Sequence, residues 1–539
     1  MRKLLLLFVA LATSVSVMAA ECMIIPRPVS YEPLKGKCAL SPKTVVYVAD
    51  KSLVRPATMF CSNVEAEKDL HIAVVEGVAP SKGAIALSID KSLGKEEYHL
   101  RITKSGVVIK GGSEQGVFYG LQSLRQVVCN AKGKGGKATL PCMVVKDKPH
   151  FAYRGGMLDV CRYFFGVDDV KKFIDILALH KMNRFHWHLT EDQGWRIEIK
   201  KYPNLTKVGS IRKETLVGLY SKKNNKYDGK PYGGFYTQDE VREIVRYAAE
   251  RYIDVIPEID MPGHMVAALA SYPHLGCTGG PYEVRTKWGI SRDILCAGRE
   301  STFEFVEGVL AEVLELFPSK YIHIGGDEAP KHRWKECPLC QKRIQEEGLK
   351  DEHELQSYFT HRVEKFLAKH GRRLIGWDEI LEGGVSKTAT VMAWRGAQRG
   401  IKAAQLGNDV IMTPRHYCYL DYCQTSDHDA NNEPICAAGN GKRFQMPIRK
   451  VYSFDPYDQL TPEQRKFIIG VQGNMWTEYV PNFDHAQHMI LPRLAALAEV
   501  GWTCENRNYD DFARRLHLLR NLYDKCGYKY APYFFNGIE

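Results

Sequence analysis

From about residue 146 to the end of the chain, short apolar runs alternate with longer amphipathic segments. The runs have the β-branched and aromatic composition of buried strands; they are GGMLDV, RFHWHL, IDVIPEID, YIHIGG, RLIGWDE, TVMAW, DVIMTP and IIGVQGNMW. Segments with helical spacing of apolar residues accompany them; they are 167–180, 237–251, 302–317, 352–370, 398–406 and 485–500. Eight such alternations predict an α/β fold, a (β/α)8 TIM barrel, with a doubly wound open sheet as the alternative.

The region before the barrel has a different pattern. Residues 21–145 combine strand-like runs, such as TVVYVAD and HLRITKSGVVIKGG, with one amphipathic segment, SEQGVFYGLQSLRQVV. Apolar residues recur in that segment at helical spacing; they are Val117, Leu121, Leu124, and Val127 or Val128. The pattern predicts a small α+β domain over 21–145, in which a helix packs on a sheet. The barrel domain would follow over 146–539, with a helical tail at its C-terminal end.

Residues 1–20 have the pattern of a secretory signal peptide. MRK is followed by the apolar run LLLLFVALATSVSV and by small residues up to Ala20. This run is too short to span a bilayer, and no later stretch is long and apolar enough to do so. We therefore expect an exported protein, periplasmic or on the cell surface, with no membrane span. Lipid anchoring at Cys22 is a second alternative, although Glu21 stands where such signals carry a small residue.

Charge and cysteine usage exclude several other classes. The formal net charge of +11 is spread along the chain, whereas a nucleic-acid-binding protein has a basic cluster or stripe. The fifteen cysteines include one C-x-x-C pair, Cys337 and Cys340, and a single pair is weak evidence for zinc. Most of the cysteines are expected to be small buried apolar residues. We predict no nucleic-acid partner, no metal and no cofactor.

Polar and aromatic side chains follow nearly every predicted barrel strand. In such barrels the catalytic groups lie at the carboxyl ends of several strands. Acids, two arginines and several tryptophans, without a serine nucleophile elbow or a phosphate-binding loop, indicate a sugar site. In chain order the residues are Asp159, Arg162, His186, His188, Glu191, Asp192, Glu258, Asp260, His264, Asp327, Glu328, Trp377, Asp378, Glu379, Trp394, Arg395, Tyr417, Tyr419, Asp421, Trp476 and Glu478.

The stretch YIHIGGDEAP, residues 321–330, concentrates this pattern. The two glycines end a buried strand and allow backbone angles that other residues avoid. Asp327 and Glu328 then occupy a turn. In isolation such a turn is more typical of solvated acids, but the other strand ends favour a site in which both face one pocket. Glycosidases need a carboxyl group that can be protonated at the working pH.

At these residues the chain resembles glycoside hydrolase family 20, the β-N-acetylhexosaminidases, in their exported bacterial form. YIHIGGDE is similar to the family signature His-x-Gly-Gly-Asp-Glu. The resemblance spans about 150–505 and continues through RGGMLDVCRYFF, KMNRFHWHLTEDQGWRIEI, YIDVIPEIDMPGH, GWDEIL, YLDY and QGNMWTE. Residues 21–145 also resemble the domain that usually precedes this barrel.

The resemblance implies an exo-acting, retaining enzyme that releases terminal β-linked GlcNAc or GalNAc from a glycan. In this family the carbonyl oxygen of the substrate's 2-acetamido group attacks C1 and gives an oxazolinium intermediate. A disaccharide-releasing enzyme similar to a lacto-N-biosidase is the alternative within the fold. A non-catalytic glycan-binding protein and a metal-dependent hydrolase are two further hypotheses, and the oligomeric state is not predicted.

The resemblance also assigns catalytic roles. Glu328 matches the general acid and base, and Asp327 matches the carboxylate that binds the acetamido N–H and stabilises the positive intermediate. His264 matches a histidine that is coupled to the catalytic glutamate through an acid after the second strand. That acid is usually an aspartate, and here Glu191 takes its place, with Asp192 as the alternative.

The remaining matches are substrate-binding residues. Arg162 matches the guanidinium that binds ring hydroxyls through two donors. Trp377, Trp394 and Trp476 match the walls around the acetamido methyl group, and Tyr419 matches the hydroxyl that orients the acetamido carbonyl. Asp421 and Glu478 match carboxylates for the outer hydroxyls. Cys161 and Tyr163 stand where the family often has Ser and His. His186 and His188 share one face of their strand, and an interior network suits them better than a metal.

Overall fold

The computed structural model describes residues 21–80, 82–221, 223–425, 436 and 445–538. The predicted signal peptide, residues 1–20, lies outside the described residues. The chain forms a mixed sheet with two helices, followed by a closed barrel, as the sequence predicts.

The N-terminal sheet contains seven strands. In chain order they are Ser30–Leu40, Val45–Val48, Ala73–Glu76, Ala84–Ile89, Tyr98–Thr103, Gly106–Gly111 and Ala138–Asp147. Across the sheet their order is 1-7-5-6-4-2-3. Strand 7 pairs antiparallel with strands 1 and 5, and strand 5 pairs antiparallel with strand 6. Strand 4 pairs parallel with strands 6 and 2, and strand 2 pairs parallel with strand 3. The last strand ends at Asp147, beyond the predicted domain boundary at 145.

Two α-helices pack with this sheet, and the sequence predicted one of them. The helix Glu114–Cys129 matches the predicted amphipathic segment, and its predicted apolar residues are all buried. The Ser113 side chain caps its first turn by accepting from the N–H groups of Gln115 and Gly116. The second helix, Val54–Lys68, was not predicted, although Ala57, Phe60, Cys61 and Val64 are buried at helical spacing on one face.

The second part of the chain is a closed barrel of eight parallel strands, so the open-sheet alternative is wrong. Each strand lies at a predicted apolar run. In order they are Tyr153–Asp159, Arg184–His188, Asp254–Glu258, Tyr321–His323, Arg373–Trp377, Thr390–Ala393, Val410–Met412 and Ile468–Met475. Below they are called the first to the eighth barrel strand. Two short hairpins lie between the second and third strands: Thr190–Glu191 with Gly194–Trp195, and Ile211–Arg212 with Tyr232–Gly233.

Helices follow the barrel strands at nearly all the predicted positions. The longer ones are Val167–Leu179, Gln238–Ala249, Glu300–Leu316, Pro338–Glu346, Glu352–Lys369, Ala397–Leu406, Phe483–Ile490, Arg493–Thr503 and Tyr509–Cys526. The shorter ones are Asn204–Lys207, Val266–Ser271, His332–Glu336, Arg415–Cys418, Ile448–Tyr452 and Pro462–Arg465. Turns of 3₁₀-helix are Lys51–Leu53, Pro273–Leu275, Asp378–Leu381 and Phe534–Asn536.

The prediction of one helix over 485–500 was wrong. Two helices occupy this segment, and they are separated at Leu491 and Pro492. Pro492 has no N–H to donate and its ring clashes with a preceding turn, so the first helix ends before it. A further helix, Tyr509–Cys526, follows, and its Arg515 side chain donates to Glu499 and to the backbone oxygen of Ile24.

The register of the barrel brings polar residues to one level near the carboxyl ends of the strands. His188 pairs with Asp159 on one side and with Glu258 on the other. Glu258 in turn pairs with His323. All four side chains are fully buried. They lie inside the barrel, directly below the loops that follow the strands.

No helix within the described part of the chain has the length and apolar character that crossing a membrane requires.

Candidate active site

All eleven predicted site residues lie around one pocket of about 240 Å³ at the carboxyl end of the barrel. Every barrel strand contributes, because the eleven residues follow the ends of all eight strands. The lining residues are Arg162, Glu191, His264, Asp327, Glu328, Trp377, Trp394, Tyr419, Asp421, Trp476 and Glu478, together with Tyr422, which the sequence analysis missed. Residues that are far apart in the sequence therefore lie together in one small site.

The two glycines after the fourth barrel strand make the turn that brings Asp327 and Glu328 to the pocket. Gly325 and Gly326 have φ of +65° and +98°, in the region that favours glycine. The N–H of Gly326 donates to Asp260 Oδ1 at 3.1 Å. A Cβ on Gly325 would lie 1.7 Å from the same oxygen. Glu328 itself has φ of +45°, a strained value for a non-glycine residue.

We expect Gly325→Ala to lower the free energy of unfolding by about 3 kcal/mol or more, because a strained φ adds to a steric clash. Gly371→Ala is the matched control: φ is +71°, and no atom lies within 4 Å of its ideal Cβ. The control should lose only about 1–2 kcal/mol. Urea unfolding of both variants measures the difference. Equal losses of stability in the two variants would show that the close approach to Asp260 adds no cost beyond the strained φ.

Glu191, and not Asp192, is the acid that contacts His264. His264 Nδ1 lies 2.7 Å from Glu191 Oε1, whereas it lies 4.0 Å from Asp192 Oδ2. The Asp192 carboxylate accepts instead from the backbone N–H of Val266 at 3.1 Å and from Arg285 at 3.0 Å. Asp192 therefore fixes the loops around the site, and Glu191 completes the link to His264.

The other side of the His264 ring faces the acid pair. Its Nε2 atom lies 3.6 Å from Asp327 Oδ2 and 3.6 Å from Glu328 Oε2. Burial alone would lower the pKa of His264, but the neighbouring Glu191 and Asp327 carboxylates raise it well above its usual value. Burial raises the pKa of Asp327 to about 6. His264 is thus a cation that stands between Glu191 and the acid pair.

Arg162 is held rigidly beside this group. Its guanidinium lies 3.0 Å from Asp159 Oδ2 and 3.0 Å from Glu191 Oε2. Its Nε donates to Gln193 at 3.2 Å, and its Cζ lies 5.1 Å from the centre of the Trp476 ring. Buried charges are stable when paired in this way, so the guanidinium is fixed in position where it borders the pocket.

Aromatic rings form the opposite wall. The Trp394 and Tyr419 rings are nearly parallel, at 15°, with centroids 6.0 Å apart. Trp476 lies 6.2 Å from Tyr419 and 5.8 Å from Trp377. The Trp377 indole N–H donates to Glu258 at 2.8 Å, which fixes this ring. The result is an apolar box of aromatic rings next to the acid pair.

Five polar atoms of this pocket are buried and have no hydrogen-bond partner among the described residues. They are His264 Nε2, Asp327 Oδ1, Asp421 Oδ1, Trp476 Nε1 and Glu478 Oε2. Buried polar groups are nearly always hydrogen-bonded, and leaving one unbonded is costly. Three carboxylate acceptors and two ring nitrogens in one small pocket indicate that a polar ligand with hydroxyl and N–H groups completes their bonding.

The residues below the pocket include the two histidines for which the sequence favoured an interior network over a metal. His188 Nδ1 lies 2.6 Å and His186 Nε2 lies 2.8 Å from Glu258 Oε2, so both histidines belong to an interior network. Glu379, one of the predicted strand-end residues, accepts a hydrogen bond from the Trp394 indole at 3.0 Å. Burial and the neighbouring Asp327 carboxylate raise the pKa of Glu379 to about 8. The polar residues after the strands were the available signal, but their contacts depend on the tertiary fold.

Both parts of the chain match models of one protein family. The model of the "Glycosyl hydrolase family 20, catalytic domain" matches residues 151–505. The model of "Glycosyl hydrolase family 20, domain 2" matches residues 21–148. The two matches coincide with the barrel and with the sheet domain before it.

Individual relatives give the same result. The chain is 47% identical over 502 residues to a β-hexosaminidase of Porphyromonas gingivalis, covering 92% of this chain and 62% of that protein. It is 36% identical to a β-hexosaminidase of Vibrio furnissii, covering 90% of this chain and 77% of that protein. An exo β-N-acetylglucosaminidase from Vibrio harveyi, solved in complex with N-acetylglucosamine, superposes with a TM-score of 0.83 at 29% identity. That match covers 95% of this chain and 78% of the solved chain.

Proposed function

This chain belongs to glycoside hydrolase family 20, and we propose that it is an exo-acting, retaining β-N-acetylhexosaminidase. It releases terminal β-linked GlcNAc or GalNAc from glycans by substrate-assisted catalysis. One observation carries the proposal: eleven strand-end residues of the expected chemistry line one small pocket, and five of its buried polar atoms lack hydrogen-bond partners among the described residues.

Binding would place the sugar between the rigid arginine and the aromatic box. Arg162, Asp421 and Glu478 take the ring hydroxyls through charge-assisted hydrogen bonds. The acetamido methyl group fits the apolar box of Trp377, Trp394 and Trp476 described above. This arrangement orients the acetamido group toward C1 before the reaction begins, which is how a bound substrate gains a rate advantage.

In the first step the acetamido carbonyl oxygen attacks C1, and the bond from C1 to the leaving oxygen breaks. Glu328 gives its proton to that leaving oxygen, as a general acid does. The Asp327 carboxylate accepts the acetamido N–H and stabilises the positive charge of the oxazolinium ring. The Tyr419 hydroxyl donates to the carbonyl oxygen and orients it.

In the second step Glu328, now a carboxylate, removes a proton from water, and the water oxygen attacks C1 as the ring bond opens. Two displacements at C1 give retention of configuration. His264 and Glu191 do not contact the reacting atoms in this scheme. Glu191 holds the His264 ring at 2.7 Å, and His264 Nε2 places positive charge 3.6 Å from both carboxylates of the acid pair.

The size of the pocket supports release of one sugar. Its volume of about 240 Å³ is below the range of roughly 300–1,000 Å³ that is usual for drug-sized ligands. A second groove begins at Glu328 and continues along Ala329, Lys331 and Glu382. We assign the smaller pocket to the terminal sugar and the groove to the rest of the glycan.

The test is a comparison of aryl β-glycosides that differ only in the sugar: GlcNAc, GalNAc, glucose and the disaccharide lacto-N-biose. Rapid cleavage of one or both N-acetylhexosaminides and negligible cleavage of the glucoside is the expected result, because glucose has no acetamido group. Cleavage of the glucoside at a comparable rate would contradict substrate assistance. Preferred release of the intact disaccharide would contradict the exo-acting assignment.

We also propose that the protein is exported after cleavage near Ala20, on the basis of the pattern of residues 1–20. The Cys22 side chain is buried, and Arg514 donates to its backbone oxygen at 3.3 Å, which favours a mature chain without a lipid on that sulfur. Mass spectrometry of the protein from fractionated cells tests this. A cytoplasmic full-length chain, or a diacylated N-terminal peptide, would contradict it.

A further inference from the structure

Four cysteines from three separate segments meet beside the barrel, at a distance from the predicted catalytic chemistry. The four-cysteine cluster consists of Cys277, Cys296, Cys337 and Cys340. Its sulfur atoms all lie within 4.8 Å of one another, and three of the four residues are buried. By contrast, Cys423 and Cys436 form a disulfide in the same structure. The cluster is therefore a compact group of four sulfurs that are not bonded to each other.

The distances within the cluster match a tetrahedral metal site. Cys277 Sγ lies 3.8 Å from Cys340 Sγ, and Cys296 Sγ lies 3.8 Å from Cys337 Sγ and 3.6 Å from Cys340 Sγ. Zinc–thiolate bonds of about 2.3 Å in a tetrahedron place the sulfurs about 3.8 Å apart. Disulfide sulfurs lie about 2.05 Å apart. The spacing thus fits four ligands around one ion.

The backbone around the cluster favours thiolates. Cys337 precedes the helix Pro338–Glu346, and Cys340 lies in its first turn, where the helix dipole stabilises negative charge. A Cβ on Gly298 would lie 2.2 Å from the backbone carbon of Leu339 and 2.4 Å from Cys340 N. The glycine therefore lets the loop after Cys296 lie directly against the C-P-L-C turn.

We propose that the four-cysteine cluster binds one structural zinc ion as four thiolates. Four cysteine sulfurs at this spacing, three of them on buried residues, are typical of structural zinc, which leaves no coordination position for a substrate. Binding releases the thiol protons to solvent and couples the affinity for the metal to folding. This proposal does not rest on the proposed glycosidase activity.

The zinc would fasten two loops that lead to the predicted catalytic residues. The N–H of Leu295, next to Cys296, donates at 3.0 Å to the oxygen of Pro262, close to His264 in sequence. The Trp334 indole donates to the Leu295 oxygen at 2.9 Å, and Trp334 belongs to the segment that joins Glu328 to Cys337. One ion would thus link the loop after the third barrel strand to the loop after the fourth.

The sequence showed only half of this site. Cys337 and Cys340 form a single C-x-x-C pair, from which no metal was predicted. Cys277 and Cys296 lie in separate loops with no paired spacing. Only the packing of the loops after the third and fourth strands brings all four sulfurs together.

The direct test is metal analysis of the full chain purified without chelators. We expect about one zinc per chain, as structural sites of this type hold, and an X-ray absorption spectrum at the zinc edge with four sulfurs at about 2.3 Å. If the purified chain holds less, the reduced protein is titrated with zinc in the presence of a competing chelator. A reduced chain that takes up no zinc would overturn the proposal, as would iron in the site.

Variants separate this cluster from the other cysteines. Cys296→Ser should lower the bound zinc at least about tenfold, because structural sites require all four ligands. Cys61→Ser, at a buried cysteine in the N-terminal helix Val54–Lys68, should keep the full content. Unchanged zinc in Cys296→Ser would contradict the proposal. If that variant does not fold, peptide mapping of the native chain under non-reducing conditions decides: a disulfide within the cluster overturns the assignment, and four alkylatable thiols after metal removal support it.

Discussion

Replacing Glu328 with glutamine should lower kcat/KM on N-acetylhexosaminides with poor leaving groups by about 10²–10⁴-fold or more. The amide can neither give a proton to the leaving oxygen nor take one from water, so both steps lose their catalyst. Aryl substrates with acidic leaving groups need little protonation, and for them the loss in the first step should be much smaller. The ratio between the two substrate types is the signature of general acid catalysis, and steady-state kinetics measures it.

Glu336→Gln is the matched control for this variant. Glu336 lies on the same connecting segment after the fourth strand, but its side chain is 75% exposed, and the proposed mechanism gives it no role. Its kcat/KM should stay within about twofold of the original, as is usual for surface substitutions. Near-normal turnover by Glu328→Gln on a poor leaving group would remove the assignment of Glu328 as the acid.

Replacing Asp327 with asparagine should have the second largest effect, a loss of about 10²–10³-fold in kcat. Removing one group that stabilises transition-state charge in a preorganised site typically costs this much. The amide keeps the shape of Asp327 but loses the negative charge that faces the oxazolinium ring. Unlike the loss in Glu328→Gln, this loss should be similar for good and poor leaving groups. A loss confined to poor leaving groups would contradict the assigned role.

The same substitution should stabilise the fold at neutral pH. Burial raises the pKa of Asp327 to about 6, so the folded chain binds this proton more tightly than the unfolded chain. Asp327 therefore contributes stability that is fully present below about pH 4 and is lost as the pH rises through 6. Asparagine cannot ionise, and at pH 7.5 the variant should be more stable by up to about 3 kcal/mol, because one pKa unit corresponds to about 1.4 kcal/mol.

Urea unfolding between pH 4 and pH 7.5 measures this change. The free energy of unfolding of Asp327→Asn minus that of the original chain should rise with pH across this window. A difference that is constant or falls with pH would show that ionisation of Asp327 does not destabilise the fold. Together with the loss of activity, the expected result means that the Asp327 carboxylate is needed for catalysis but lowers the free energy of unfolding at neutral pH.

The sequence predicted the barrel and the composition of the site because both depend on local pattern. Apolar runs mark strands, and the carboxyl ends of parallel strands must meet at one end of a barrel. Hence Arg162 and Trp476, far apart in sequence, could be assigned to one site before their contact of 5.1 Å was seen. The GG pair before Asp327 likewise indicated the positive φ values that the turn requires.

Other features depend on tertiary contacts that no local pattern contains. Val266 and Arg285 donate hydrogen bonds to the Asp192 carboxylate. Glu191 rather than Asp192 therefore contacts His264. The four-cysteine cluster assembles only when separate loops pack. In each case the deciding partner comes from a distant part of the chain.

The central claim is that the substrate's own acetamido oxygen attacks C1. It is tested most directly with aryl GlcNAc substrates whose acetyl group carries no, one, two or three fluorine atoms, because fluorine makes that oxygen a weaker nucleophile. The account predicts that kcat/KM falls with each fluorine and that the full series spans well over tenfold, or about 1.4 kcal/mol of barrier. Equal kcat/KM across the series, with a covalent glycosyl adduct on a protein carboxylate, would contradict it.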